Sequence, residues 1–341
     1  MHGLCACSAG FSGIDCAHHE PPRRRSATTR RRPHGLAIYV YDLPSDLGLA
    51  AFAFNAYRNA GGETIYLAEW HFLEALLGDG SVRVSDPEQA DLFFVPTFTA
   101  QGVSSNFFCP KGQIELVASH LRAHSPYWQR SSGRDHVFFV TGDKGACGLP
   151  PAVGARAIFI THFGLLGPYS AMPRASATTR NLHSSKAVVS EMDSAQWCHA
   201  PHKDIVAPPL VPRQPASTEP PTDAFVTRPY KYLLVHAGGI YGPQGVSHTR
   251  KSWQSSRYSQ GMRQELFERY PRAHPHGIYI SERRVPDSTF LESKTCLAPT
   301  GEGWGVRLIK SVISGCVPLV AQPWMEQAYA RPESSRILPR P

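Results

Sequence analysis

Ser293–Val320 reads SKTCLAPTGEGWGVRLIKSVISGCVPLV. Cys296 and Leu297 close a strand, and Pro299-Thr300-Gly301-Glu302-Gly303-Trp304-Gly305 is a glycine-rich turn. Arg307–Ser314 then sets Leu308, Ile309, Val312 and Ile313 on one helical stripe. Gly315 is placed to end that helix in the left-handed conformation, and Val317–Val320 is the next strand. Such a turn presents backbone N–H groups at the positive end of a helix, which suits a diphosphate. Arg307, in the first helical turn, adds a forked cation for phosphate oxygens. Negative charge building up on a diphosphate is then met without a metal. The same kind of turn also occurs as plain structure, so the turn alone does not decide the chemistry.

The alternation continues outward from this block. Leu36–Tyr41 is a short apolar run stopped by Asp42-Leu43-Pro44, and Ile65–Leu77 has helical spacing of Trp70, Leu73 and Leu77. Asp91–Val95, Val137–Thr141 and Ala157–Ile160 read as buried strands, and Ile114–Leu121 as a helix. Beyond the proline-rich 211–229, Tyr232–His236 and Gly277–Ile280 read as strands, with a helix near Gly261–Tyr270. Strand and helix in alternation predict parallel sheets covered by helices. The resulting division is a partial module at 1–20, a basic linker at 21–34, a domain at 35–210, a linker at 211–229, a second domain at 230–322 and a tail at 323–341.

Composition narrows the class. The chain has 341 residues, 42% of them hydrophobic and 18% charged, which is a foldable balance for two domains. It holds no apolar run long enough to span a membrane, and MHGLCACSAG lacks the apolar core of a signal peptide. The net charge of +8 includes Arg23–Arg25 and Arg30–Arg32. These read as a solvated linker, because no aromatic residues interleave them as a nucleic-acid patch would require. Cys5, Cys7 and Cys16, with Gly10, Phe11 and Gly13 between, resemble the back half of an EGF-like module. That resemblance implies a Cys7–Cys16 disulfide, an oxidising compartment and a start truncated relative to the natural protein. Cys109, Cys147 and Cys198 are expected to supply one loop disulfide with one cysteine left over. Cys296 and Cys316 are expected to be small buried residues and not a bridge.

The block from Ser293 resembles the signature of exostosin-like glycosyltransferases. The matching positions are Ser293, Lys294, Cys296, Leu297, Pro299, Gly301, Arg307, Gly315, Cys316, Val317 and Pro318. Ile38–Pro44, Ala90–Pro96, Gly133-Arg134-Asp135-His136, Thr161-His162-Phe163-Gly164, His202–Val206, Leu233–Gly238 and Tyr258–Arg263 match further landmarks in the same order. The resemblance implies an α/β, GT-B-like fold, in which two Rossmann-like domains face a cleft, the second of them truncated here. It implies an inverting transfer from a nucleotide diphosphate, a UDP-sugar, to a glycan or glycoprotein. No cofactor or metal is expected, and no Asp-x-Asp motif occurs. Nucleic acid is not an expected partner. The setting implied is the Golgi lumen, with a membrane anchor in the full-length protein. A catalytically inactive glycan- or nucleotide-binding protein of the same fold is the competing reading.

On this resemblance Gly301, Glu302, Gly303, Arg307 and Arg263 bind the donor. For Arg263 an ordinary surface arginine is the competing reading. Many relatives carry an acidic residue three positions after the arginine, suited to ribose hydroxyls, whereas this chain has Lys310. Glu302 stands in for it from the loop, or the ribose contact is lost. An inverting transfer needs a base for the acceptor hydroxyl. Asp143, past the end of a buried strand, is chosen as the catalytic base, against its capping the following turn. Asp135, His136 and His162 are cleft candidates, with structural histidines as the competing reading. Trp304 either stacks on uracil or packs between domains.

Overall fold

The computed structural model describes Phe11–Ser12, His18–His19 and residues 35–44, 47, 65, 67–97, 110–147, 149–167, 198–211, 229–240, 259, 262–270, 275–301 and 303–328. Cys5, Cys7, Cys16, Cys109, Glu302, the basic linker and most of the proline-rich linker lie outside the described residues. The chain forms two compact units that interleave along the sequence. One comprises Met1–Gly142, Leu149–Thr161 and Ala200–Ile205, and the other Asp143–Gly148, His162–His199 and Val206–Pro341. The sequence reading, with one crossing near 211, does not anticipate this exchange of segments.

In the first unit Phe11–Ser12 (β1) pairs antiparallel with His18–His19 (β2). The main elements follow as Ile38–Val40 (β3), Ala68–Gly78 (α1), Arg83–Val84 (β4), Leu92–Val95 (β5), Pro110–His124 (α2), Pro126–Ser131 (α3), His136–Val140 (β6), Pro151–Gly154 (α4) and Ile158–Thr161 (β7). Gly164–Leu165 (β8) belongs to the second unit, and Ile205–Val206 (β9) returns to the edge of the first sheet. The sheet order is β4-β3-β5-β6-β7-β9, with parallel pairing from β4 through β7. Every residue of β6 (HVFFV) is buried, as a central parallel strand covered on both faces requires.

The landmark motifs of this unit are anchors. Gly133 has φ +81° and lies against the Trp128 ring, where a Cβ would come within 2.8 Å. It turns the chain from α3, capped by Ser125 and Pro126, into β6. Asp204 accepts hydrogen bonds from the amides of Phe159 at 3.0 Å and Ala200 at 2.9 Å, and pairs with Lys203. The Lys203 ammonium also donates to the Ala157 carbonyl at 2.8 Å. The stretch His202–Val206 therefore ties β9 to the start of β7.

Asp135 and His136 sit at the N-terminal start of β6, the end of a parallel sheet away from where ligands bind. The His136 ring is fully buried, stacked on Phe93 and Tyr41, with Nε2 2.9 Å from the Tyr41 hydroxyl and Nδ1 2.8 Å from Asp135. Burial pushes its pKa down to about 4, against the raising effect of Asp135. Burial likewise pushes Tyr41 up to about 12. Below pH 6.5 the unfolded chain takes up a proton on this histidine that the folded chain does not. Stability is thus complete above that pH and falls steadily toward about pH 4. At pH 5 the loss from His136 alone is about 2 kcal/mol. His136→Gln is expected to flatten the pH dependence of urea unfolding between pH 7.5 and 5 by that amount.

The second unit contains Tyr232–Ala237 (β10), Met262–Arg269 (α5), Ile278–Ser281 (β11), Asp287–Leu291 (α6), Ser293–Pro299 (β12), Arg307–Ile313 (α7), Val317–Ala321 (β13) and Met325–Glu326 (β14). Its sheet is ordered β11-β10-β12-β13 and is parallel at every pairing. Gly315 takes φ 60° after α7, as its position predicts. The helical stripe is different from expectation. Ser311 and Ser314 face inward, while Val312 and Ile313 are exposed. The Ser311 hydroxyl donates to the Arg307 carbonyl at 2.7 Å, which satisfies it inside the unit.

Two further features correct the sequence reading. Cys296 and Cys316 form a disulfide, with Cα atoms 5.8 Å apart. Cys296 lies in β12 and Cys316 immediately precedes β13, so parallel pairing of the two strands brings the thiols together. The supposed tail from 323 contains β14, which pairs antiparallel with β8 (Met325 opposite Leu165, Glu326 opposite Gly164). Gly164 has no room for a side chain there, because a Cβ would overlap the Glu326 carbonyl. Cys147 pairs with Cys198, which is the one loop disulfide expected of its group.

Candidate active site

The C-terminal ends of β10 and β12 lie side by side because Val235 opposes Cys296. Ligands of parallel α/β sheets bind at such ends. After β10 the chain continues as Gly238-Gly239, and after β12 as Thr300-Gly301. Arg263, from α5, joins the two loops: it donates to the Gly239 carbonyl at 2.9 Å and to the Thr300 carbonyl at 2.6 Å. It is 4% exposed and so is not the surface arginine of the competing reading. Ser259, at φ 50°, donates its amide to the Gly301 carbonyl at 3.0 Å and accepts from the Arg263 amide at 3.3 Å. The glycine-rich turn thus rests on a frame of backbone carbonyls gathered by one buried guanidinium.

Arg307 begins α7, and its guanidinium lies directly over Gly238. Gly238 has φ +139°, and a Cβ there would overlap the arginine nitrogen. Only glycine accommodates both the backbone angle and the cation. Lys310 follows one turn later on the same helical face and is half-buried. Burial first, and then the charges of Arg307 and Arg284, push its pKa down, while Asp287 opposes them. At seven residues α7 is a short helix. The side-chain cations, more than the helix dipole, therefore set the positive potential here.

Gly301 donates to the Gly303 carbonyl at 3.1 Å, and Trp304 donates to the Asp143 carbonyl at 3.0 Å. Gly303 packs against that same carbonyl so closely that a Cβ would overlap it. Asp143 is thereby held at the glycine turn by its own main chain. Trp304 is buried, with the His162 ring edge-on at 4.7 Å. His162 Nδ1 donates to the Ala207 carbonyl at 2.9 Å, and burial pushes this imidazole down to about 4. It is built in as a neutral packing and hydrogen-bonding ring.

Gly301, Gly303, Arg307, Arg263, Asp143 and His162 therefore all lie in the second unit, whereas Asp135 and His136 lie in the first. Sequence reasoning passed over His236, at the end of β10. It is buried, and burial first, then the charges of Arg263 and Arg307, hold its pKa well below the usual imidazole value, against the opposing pull of the Leu297 backbone. A histidine immediately before Ala-Gly-Gly at a strand end was the signal. Glu69 was also missed. Its buried carboxylate accepts from the Thr141 amide at 2.9 Å and hydroxyl at 3.0 Å, fixing the end of β6. Among the described residues no group of three or more His, Cys, Asp or Glu is placed to hold a metal.

Parallel sheets with a cation-lined glycine turn at the strand ends define a domain of mixed α/β architecture. Residues 32–332 match the Exostosin GT47 domain, and the chain belongs to that family. It is 30% identical over 325 residues to an Oryza sativa subsp. japonica protein named "Probable glucuronosyltransferase", covering 88% of this chain and 64% of the relative. It is 27% identical over 307 residues to an Arabidopsis thaliana protein named "Probable glucuronoxylan glucuronosyltransferase", covering 84% and 56%. An Arabidopsis thaliana "Probable beta-1,4-xylosyltransferase" is 24% identical over 347 residues, covering 93% and 71%. The chain spans less than two thirds of the length of the first two relatives.

Proposed function

We propose that this chain transfers a sugar, with inversion, from a UDP-sugar to a glycan or glycoprotein. The observation that carries the proposal is the Arg307 guanidinium seated on Gly238 beside the Gly301–Gly305 turn. It offers a forked cation where a leaving diphosphate needs its charge met. Lys310, one turn on, adds positive charge at a place where an acidic ribose ligand is expected. In this reading Gly301, Gly303 and Arg307 hold the diphosphate, and Arg263 positions the loops around it. Asp143, beside the turn, is the proposed base for the acceptor hydroxyl. The donor half pairs with an acceptor half in a GT-B arrangement of two Rossmann-like domains. The relatives' names favour glucuronic acid and xylose as the sugars; the setting proposed with this reading is the Golgi lumen, with a membrane anchor in the full-length form.

The test is a panel of UDP-sugars, with UDP-glucuronate and UDP-xylose among them, offered with xylan oligosaccharides to the full reading frame. UDP release, calorimetric UDP binding and the anomeric configuration of the product are measured. Turnover with inversion is expected. Tight UDP binding without turnover would instead favour a nucleotide-binding protein that has lost catalysis, and absence of UDP binding would overturn the donor site.

A further inference from the structure

The glycine turn is not self-supporting. Its outer wall is the loop Asp143–Cys147, which makes no strand or helix of its own. The Asp143 carbonyl takes the Trp304 amide at 3.0 Å and leaves no space for a Cβ at Gly303. Within the loop Lys144, Gly145, Ala146 and Cys147 are all buried, with Gly145 at φ 51° and the Cys147 amide bonded to the Lys144 carbonyl. Cys147 is bridged to Cys198, 51 residues away in sequence, with Cα atoms 4.1 Å apart. The neighbouring His199 then reaches Glu326 of β14 at 3.3 Å. A continuous line therefore runs from β14 through His199, Cys198 and Cys147 to Asp143 and the turn, all within the second unit.

We infer that the Cys147–Cys198 disulfide is a positioning element of the donor site, which holds the Asp143 carbonyl against Gly303 and Trp304 and so sets the shape of the turn. A buried loop with a left-handed glycine has few states when its end is cross-linked, and many more when it is not. Opening the bridge frees the loop to retreat, and the Trp304 amide then loses its acceptor. Reduction by a dithiol, which converts the bridge to two thiols while the reductant closes its own disulfide, makes donor binding depend on the oxidised state. This inference rests on the donor reading for its effect on nucleotide affinity, but not for its effect on the turn.

The experiment compares wild type, Cys147→Ser/Cys198→Ser, Gly303→Ala and the combination. Two quantities are read: amide hydrogen exchange at Trp304, with Leu297 and Ala298 in β12 as the internal reference, and UDP affinity by calorimetry. Expected are at least tenfold faster exchange at Trp304 with β12 unchanged, and a roughly tenfold weaker UDP Kd, in each altered protein. In the combination the two losses should not multiply, because both break one contact. Unchanged Trp304 exchange in the serine pair, or losses that multiply, would overturn the inference. If the serine pair does not fold, wild type reduced by dithiothreitol in the cold, with the opened bridge mapped by mass spectrometry, supplies the same two readouts. Faster Trp304 exchange in a chain whose wild type binds no UDP would support the positioning role while removing the donor reading.

Discussion

Arg307→Ala is expected to weaken UDP binding about 10- to 100-fold, the range for losing hydrogen bonds between a guanidinium and an anion. Uridine, which lacks phosphates, should bind equally well to both proteins. Arg307→Lys should recover only part of the loss, because an ammonium cannot reproduce the fork. Calorimetric titration of the three proteins with UDP and uridine checks all of this. A control at the exposed Arg269, which pairs with Glu265, should have a much smaller effect. Equal UDP affinity in wild type and Arg307→Ala would refute the assignment. The effect should also fade with salt less than a surface charge would, since Arg307 is partly buried.

Gly238→Ala should be nearly as damaging without touching a charge. The alanine must adopt φ near +139°, which costs about 1–3 kcal/mol for a residue with a Cβ. Its methyl group also overlaps the Arg307 guanidinium, which must swing away. UDP affinity should fall about tenfold or more, with the melting temperature lowered by a few degrees. The decisive comparison is the double variant. With Arg307 already alanine, Gly238→Ala should lower UDP affinity little further, because its target side chain is gone. Additive losses would mean that Gly238 serves the ligand by another route.

Much of this architecture is legible in the sequence because apolar runs of four to six residues bounded by Pro, Gly or Asp are strong strand signals. The β6 run, the β12-turn-α7-β13 block and the left-handed Gly315 all follow from local chemistry. What escapes are contacts made over long sequence distances. A buried cysteine in a strand reads the same whether free or bridged, so Cys296–Cys316 emerges only once β12 and β13 are paired. Arg263 looks like any helix arginine until its two carbonyl acceptors are brought in from separate loops. Asp143 draws attention for its side chain, yet what is seen in the fold is its main-chain carbonyl. No residue pattern announces that. The α7 stripe misleads because two serines, small enough to let the helix sit close to the sheet, take the inward face.

The pairing of β8 with β14 bears on the order in which the chain matures as it is synthesised. The first sheet is complete once Val206 has been made. The second unit cannot close until Met325 and Glu326 reach back to Leu165 and Gly164, across most of the intervening chain. Non-local pairings of this kind slow folding and leave strand edges open in the meantime. The nascent protein therefore passes through a stage with a formed first sheet and an unfinished second unit. Until β14 has been made, the β8 edge that it covers is open to pairing with the wrong strand.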